Sequence, residues 1–212
     1  MPPEQLALFA EPLPEGVTIL RGFALSQAGA ILAEVERIGE AAPFRAMQVP
    51  GGGTMSVAMT NCGAAGWVTD LRGYRYSPAD PLTGQPWPDM PALIHDLAVR
   101  AADAAGFEGF QPDACLINRY EPGARMGLHQ DRDEADRSAP IVSVSLGLSA
   151  TFLFGGLKRS DPQARIALNH GDVVVWGGPA RMAYHGIAPL KDGLHPELGR
   201  LRLNLTIRKA LV

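Results

Sequence analysis

Leu201-Arg202-Leu203-Asn204-Leu205-Thr206-Ile207-Arg208 changes character at every step. Successive side chains of a strand point to opposite faces, so this segment predicts a strand with Leu201, Leu203, Leu205 and Ile207 on one face and Arg202, Asn204, Thr206 and Arg208 on the other. The apolar face needs a cover; the polar face is either bathed in water or turned toward a ligand. Ala114 to Tyr120 is built the same way, with Leu116, Asn118 and Tyr120 sharing a face. Short β-branched or alternating segments also stand at Ile141 to Leu148, Thr151 to Phe154, Arg165 to Leu168 and Asp172 to Trp176, parted by Gly or Pro turns.

Two segments predict helices. From Ser26, an N-cap residue type, Ile31, Leu32, Val35 and Ile38 recur at helical spacing as far as Gly39. The second begins near Asp89 with Pro91 in its first turn, carries Leu93, Ile94, Leu97, Ala101 and Ala105, and stops at Gly106. Both are amphipathic and need a sheet to cover them. The fold class that follows is mainly β with flanking helices, a sandwich or barrel with helices against one sheet. Between the helices, Val49 to Pro88 is turn-rich and carries Trp67, Tyr74, Tyr76 and Trp87, which suits either a loop packed by its aromatics or a substrate platform.

A chain of 212 residues is long enough for one domain with a full core. Its net charge of −3 provides no global field for a polyanion, which argues mildly against a nucleic-acid partner. Cys62 and Cys115 are too few for a disulfide framework, and Met1 to Pro14 lacks the basic start and apolar core of a signal sequence, so a reduced cytoplasm is expected. No apolar run reaches the ~20 residues of a membrane helix.

The chemistry-bearing signal is Leu128-His129-Gln130-Asp131, with Tyr184-His185-Gly186 far downstream. In extended chain, His-x-Asp puts both side chains on one face about 7 Å apart, within reach of one ion. A second histidine completes a facial triad whose three open positions suit a non-haem Fe(II) oxygenase. The bland alternative is a surface turn, since Arg132, Asp133, Glu134 and Asp136 read as solvated. His95, His170 and His195 read as structural or exposed. Arg202 and Arg208 suit a dicarboxylate, because guanidinium groups bind carboxylates bidentately, but they lie about 20 Å apart along a flat strand and so serve different ends of a site. Asn118 and Tyr120 can add neutral hydrogen bonds.

These segments together closely resemble the bacterial AlkB family of DNA-repair dioxygenases. The resemblance spans roughly residues 43 to 208 and is carried by Asn118-Arg119-Tyr120-Glu121-Pro122-Gly123, Leu128-His129-Gln130-Asp131, Phe154-Gly155-Gly156-Leu157, His170-Gly171-Asp172, Tyr184-His185-Gly186 and Asn204-Leu205-Thr206. Thr54 to Gly63 and Tyr74-Arg75-Tyr76-Ser77-Pro78 match as well. Arg45, Arg72, Arg75, Arg125, Lys158 and Arg159 flank segments that carry the resemblance, and are candidates for a local basic rim on that ground.

The resemblance implies a single domain over 1–212: an N-terminal extension and helix to about 42, a nucleotide-recognition lid over about 43–88, and a helix with a catalytic double-stranded β-helix, or jelly roll, from about 89. It implies Fe(II) on His129, Asp131 and His185, and 2-oxoglutarate on Asn118, Tyr120, Arg202, Asn204 and Arg208, with Arg202 at the distal carboxylate and Arg208 nearer the iron. Trp67, Tyr74, Arg75 and Tyr76 match the lid, where Trp67 stacks on an extruded base; Asp133 and Arg159 match further substrate positions. Gly53 departs from a family tyrosine, which bears on substrate preference. The implied reaction is O₂-dependent demethylation of 1-methyladenine and 3-methylcytosine by a monomer, in single-stranded DNA first, with duplex DNA and RNA as further substrates. An oxygenase of protein side chains, a non-catalytic binder of damaged nucleic acid, and a cupin-like metal store are the competing readings.

Overall fold

The computed structural model describes residues 13–212; residues 1–12 of the expected N-terminal extension, and most of the Met1 to Pro14 segment, lie outside them. In chain order the elements are β1 (Val17–Leu20), α1 (Ala28–Ala41), β2 (Arg45–Gln48), β3 (Thr54–Gly63), β4 (Gly66–Asp70), β5 (Gly73–Ser77), α2 (Ala92–Ala104), β6 (Ala114–Tyr120), β7 (Met126–His129), β8 (Ile141–Gly147), β9 (Ala150–Phe154), β10 (Ala164–Leu168), β11 (Val173–Trp176), β12 (His185–Ile187) and β13 (Arg202–Arg208). A seven-stranded sheet runs β1-β11-β8-β13-β6-β3-β2, and a four-stranded sheet runs β10-β9-β12-β7. Strands β4 and β5 form a separate hairpin.

The alternating strand β13 is the middle strand of the large sheet, antiparallel to β6 and β8. Its Leu203, Leu205 and Ile207 join Ile117, Val142, Val144 and Val175 in a layer covered by Ile31, Val35 and Ile38 of α1 and by Ile94, Leu97 and Ala101 of α2. Each such side chain contributes about 1.5–3 kcal/mol when buried, which is what fastens the helices to the sheet. The opposite face looks between the sheets, where Phe152, Phe154, Ile166 and Ile187 of the small sheet meet Val57, Met59 and Trp176 of the large one. Two packed antiparallel sheets with helices on one outer face are the jelly-roll architecture expected from the sequence. The polar face of β13 is not in water: Arg202 is 0% exposed, and Asn204, Thr206 and Arg208 are buried with it.

Helix starts differ from their sequence signals. Ser26 lies inside a 3₁₀ turn (Leu25–Gln27), and Gln27 precedes α1 with no side-chain cap. The turn's own backbone bonds, such as Gln27 N–H to the Ala24 carbonyl, take the place of the serine cap. Helix α2 starts at Ala92 rather than near Asp89, because Pro91 stands at its N-cap in an extended conformation and Pro forces the residue before it out of the helical region. The turn-rich Val49 to Pro88 stretch is more regular than its composition predicts: β3 is a strand of the large sheet, paired with β2 just before it, and the hairpin and its return lie outside that sheet.

Candidate active site

His129 ends β7 and His185 begins β12, and the two are register partners in the small sheet. That close pairing depends on Gly186, where a Cβ would lie 2.7 Å from the Met126 carbonyl oxygen. The ring centroids are 4.4 Å apart. Asp131, two residues past His129, turns its carboxylate between the rings: His129 Nε2 is 3.5 Å from Asp131 Oδ1 and His185 Nε2 is 3.7 Å from Asp131 Oδ2. One donor atom from each residue falls within 4.8 Å of the others. Nδ1–H of His129 donates to the Gly127 carbonyl at 2.8 Å and Nδ1–H of His185 to the Ala183 carbonyl at 3.0 Å, which leaves both Nε2 lone pairs aimed at one point.

Electrostatics put His185 and Asp131 in their metal-binding protonation states. Burial, together with the neighbouring His129, pulls His185 down to about 4, so its imidazole is neutral at physiological pH. Burial opposes the charge on Asp131, but Arg208 and the two imidazoles outweigh it and hold the carboxyl well below its ordinary range. Arg208 donates to Asp131 Oδ2 from Nη2 at 2.6 Å and from Nε at 3.0 Å. Burial opposes a charge on His129, but Asp131 and the Gly127 carbonyl outweigh it and raise its pKa, so an ion displaces a proton there to reach the neutral, neutral, anionic donor set that Fe(II) takes in such oxygenases.

A cavity runs from the triad along the polar face of β13. Register places Arg202 beside Tyr120 and Asn204 beside Asn118 on β6, and Asn204 beside Ser145 on β8. Arg202 lies over the Tyr120 ring at 4.9 Å and donates from Nη2 to Ser145 Oγ at 3.0 Å. Its Nε and Nη1 are buried and have no partner among the described residues, nor has Asn118 Oδ1. A buried guanidinium without an acid is costly, several kcal/mol per ion, so the geometry fits an anionic ligand whose carboxylate completes it. The residues fit a metal-chelating dicarboxylate with one end at Arg202 and the other near Arg208.

A second cavity, about 300 Å³, opens on the other side of the triad; Trp67, Tyr74, His129, Asp133, Arg159 and Tyr184 help to line it. Trp67 and Tyr74 project from the hairpin as a stacked pair, centroids 5.6 Å apart and planes 20° apart. Trp67 Nε1–H donates to Asp133 Oδ2 at 2.8 Å, and the Arg159 guanidinium lies over the Tyr184 ring at 5.2 Å. Arg75 and Tyr76 do not line this cavity. Arg75 is paired with Asp70 within the hairpin, and Tyr76 O–H donates to Glu134 Oε1 at 2.9 Å.

Glu134 corrects the solvated reading of residues 132–136: it is 3% exposed and pairs with an equally buried Arg181 at 3.1 Å. Neither was singled out from the sequence, since a carboxylate amid four charged neighbours carries no mark of burial. Tyr184 was legible only as the neighbour of His185. His95 is half-buried on α2, and His170 lies against His195 away from the triad, rings tilted by 30° and 4.5 Å apart between centroids, in line with the reading of these histidines as structural or exposed.

Residues 16–208 match the 2OG-Fe(II) oxygenase superfamily. The chain is 60% identical to the alpha-ketoglutarate-dependent dioxygenase AlkB of Escherichia coli K12, over 94% of this chain and 93% of that one. It is 36% identical to the nucleic acid dioxygenase ALKBH1 of Mus musculus, over 60% of this chain and 33% of the mouse protein. The solved structure of OsALKBH1 superposes with a TM-score of 0.83 at 29% identity, covering 94% of this chain and 99% of that one. With its triad, its two cavities and this breadth of similarity, the chain belongs to the AlkB family of the 2OG-Fe(II) oxygenase superfamily.

Proposed function

We propose that this enzyme is an oxidative demethylase of alkylated bases, 1-methyladenine and 3-methylcytosine, in nucleic acid, with single-stranded DNA as first substrate and duplex DNA and RNA as further ones. The observation that carries the reading is the juxtaposition of an aromatic pair, Trp67 and Tyr74, with the His129–Asp131–His185 triad across one cavity. The N-methyl group on a Watson–Crick edge cannot be reached inside a duplex, so the base must be extruded or already unpaired. Stacking on an aromatic wall supports such a base by about 1–3 kcal/mol. Asp133, held by Trp67, supplies a negative group that favours cationic methylated bases over neutral ones.

Asn118, Tyr120, Arg202, Asn204 and Arg208 would hold 2-oxoglutarate, and His129, Asp131 and His185 would hold iron. Bound together, iron and 2-oxoglutarate supply the activation of O₂ that oxidises the methyl carbon, with succinate and CO₂ as co-products and formaldehyde released from the base. The chain's own part is to fix distance and orientation and to keep water from the reacting atoms. Arg159 and the exposed Arg132 are placed to meet the substrate's polar edge or backbone. The reading includes a monomer, and free buried Cys62 and Cys115 suit a reducing cytoplasm. No helix among the described residues is long and apolar enough to cross a membrane.

The test is an assay with methylated single-stranded DNA, duplex DNA and RNA, Fe(II) and 2-oxoglutarate, reading formaldehyde and restored base. Wild type is expected to release both, while Asp131→Ala falls to background yet retains oligonucleotide binding. Turnover of 2-oxoglutarate with no product from any methylated strand sinks the reading.

A further inference from the structure

Trp67 and Tyr76 are register partners across the β4–β5 hairpin, and each donates a hydrogen bond to one of two consecutive acids. Trp67 reaches Asp133, which lines the substrate cavity, and Tyr76 reaches Glu134, which is buried behind it. The hairpin is thus fastened at two points to the segment that leaves the metal ligand Asp131.

Glu134 is a hub. Its Oε1 lies 2.9 Å from the Tyr76 hydroxyl and 3.3 Å from Arg208 Nε, and its Oε2 lies 3.1 Å from Arg181 Nη2. Arg208 grips the Asp131 carboxylate, and Arg181 Nη1 donates to the Asp131 backbone carbonyl at 2.7 Å. Two buried arginines therefore bracket Asp131, and the same carboxylate ties both of them to the hairpin.

We infer that Tyr76 and Glu134 are positioning residues that carry the seating of the aromatic hairpin to Asp131 and Arg208, so that an empty or displaced hairpin loosens the iron and 2-oxoglutarate site. Arg208 Nε is shared between two carboxylates, Asp131 Oδ2 at 3.0 Å and Glu134 Oε1 at 3.3 Å. When the hairpin withdraws, Glu134 loses the Tyr76 donor and draws harder on Arg208, at the expense of Asp131. Seating a base under Trp67 holds the hairpin down and restores the division. The consequence is coupling: with the hairpin seated, consumption of 2-oxoglutarate stays matched to oxidation of the base, and a loosened site consumes it without that match. Tyr76 acts in this account through Glu134, not by touching the base. Only the identity of the seating ligand rests on the demethylase reading; the network stands without it.

The experiment is Tyr76→Phe, which removes one hydroxyl from a half-buried ring and leaves the fold's core intact. Loss of one hydrogen bond to a charged group is expected to weaken 2-oxoglutarate binding about tenfold, and to raise the ratio of succinate to formaldehyde about as much. Affinity for a methylated single-stranded oligonucleotide is expected to change less than about twofold, because the stacking wall is untouched. Binding is read anaerobically, without oligonucleotide, from the absorption that appears when 2-oxoglutarate joins the Fe(II)-loaded protein. Glu134→Gln keeps an acceptor for Tyr76 but removes the charge that draws Arg208 from Asp131, so in that background Tyr76→Phe is expected to change 2-oxoglutarate binding less than about twofold; a tenfold loss there overturns the proposal. Unchanged titrations and an unchanged succinate-to-formaldehyde ratio in Tyr76→Phe overturn the proposal, and so does a loss confined to oligonucleotide affinity. If wild type yields no formaldehyde from any methylated strand, the demethylase reading fails, while the oligonucleotide-free titration still decides the network.

Discussion

Arg202 and Arg208 stand on one face of one strand, both buried, yet their surroundings are opposite. Arg208 meets two carboxylates, Asp131 and Glu134, and its charge is compensated within the chain. Arg202 meets a tyrosine ring and a serine hydroxyl, with two N–H groups lacking any partner among the described residues. The strand thus holds one cation compensated by the chain's own acids and one left without an acid among the described residues. Burial opposes the charge of both, but it lowers the pKa of Arg202 while Asp131 and other neighbouring acidic groups raise that of Arg208.

That contrast can be broken by substitution. Arg208→Met removes a partner from two buried carboxylates and is expected to destabilise the metal-free protein most, by about 3–5 kcal/mol in denaturant unfolding. Arg202→Met is expected to do the reverse in the same measurement, leaving stability unchanged or raised by about 1–3 kcal/mol, because an uncompensated charge is exchanged for an apolar chain. Its loss is in binding: 2-oxoglutarate affinity is expected to fall about 10- to 100-fold, read by titration calorimetry in the presence of a redox-inert divalent metal. If Arg202→Met destabilises as much as Arg208→Met, Arg202 is structural and the ligand pocket lies elsewhere.

A smaller effect sharpens the same comparison through pH. His185 is held at about 4, below the roughly 6.5 of an unfolded histidine. Between those values the unfolded chain binds a proton that the folded site refuses, so this residue makes stability rise with pH across the window from about 4 to 6.5. Metal binding is expected to steepen the rise, since the ion needs the neutral imidazole. His185→Gln should flatten the metal-free slope, as read from unfolding midpoints at several pH values; an unaltered slope would assign it to other groups.

Much of this was legible in the linear chain, for reasons that differ by element. Alternation along Arg202–Arg208 and Ala114–Tyr120 marked two strands and their functional faces, because the pleat imposes a period of two regardless of context. The triad was legible through short motifs, although Asp131 lies two residues past the end of β7 and not in extended strand. The helix starts were not, since backbone turns at 25–27 and Pro91 replaced the side-chain caps that a local reading expects. The hairpin was hidden because Gly66 to Ser77 mixes aromatics, charges and glycines without a clean period, and a two-stranded ribbon off the main sheet has little apolar face to show. Glu134 and Arg181 were hidden because burial of a charged residue depends on a partner 47 positions away.

By itself, then, the sequence determined the periodicities, the donor chemistry of His129, Asp131 and His185, and the family to which both belong. Which face of β13 became the inside was decided by the tertiary structure. Two helices claim the leucine face and leave Arg202 and Arg208 to look between the sheets, where low polarity makes an unpaired cation costly and so defines a place for a carboxylate. Tertiary packing also set the Tyr76–Glu134–Arg208 chain, because a hydrogen bond and an ion pair between segments about sixty and seventy residues apart depend on three-dimensional closure and leave no trace in local spacing.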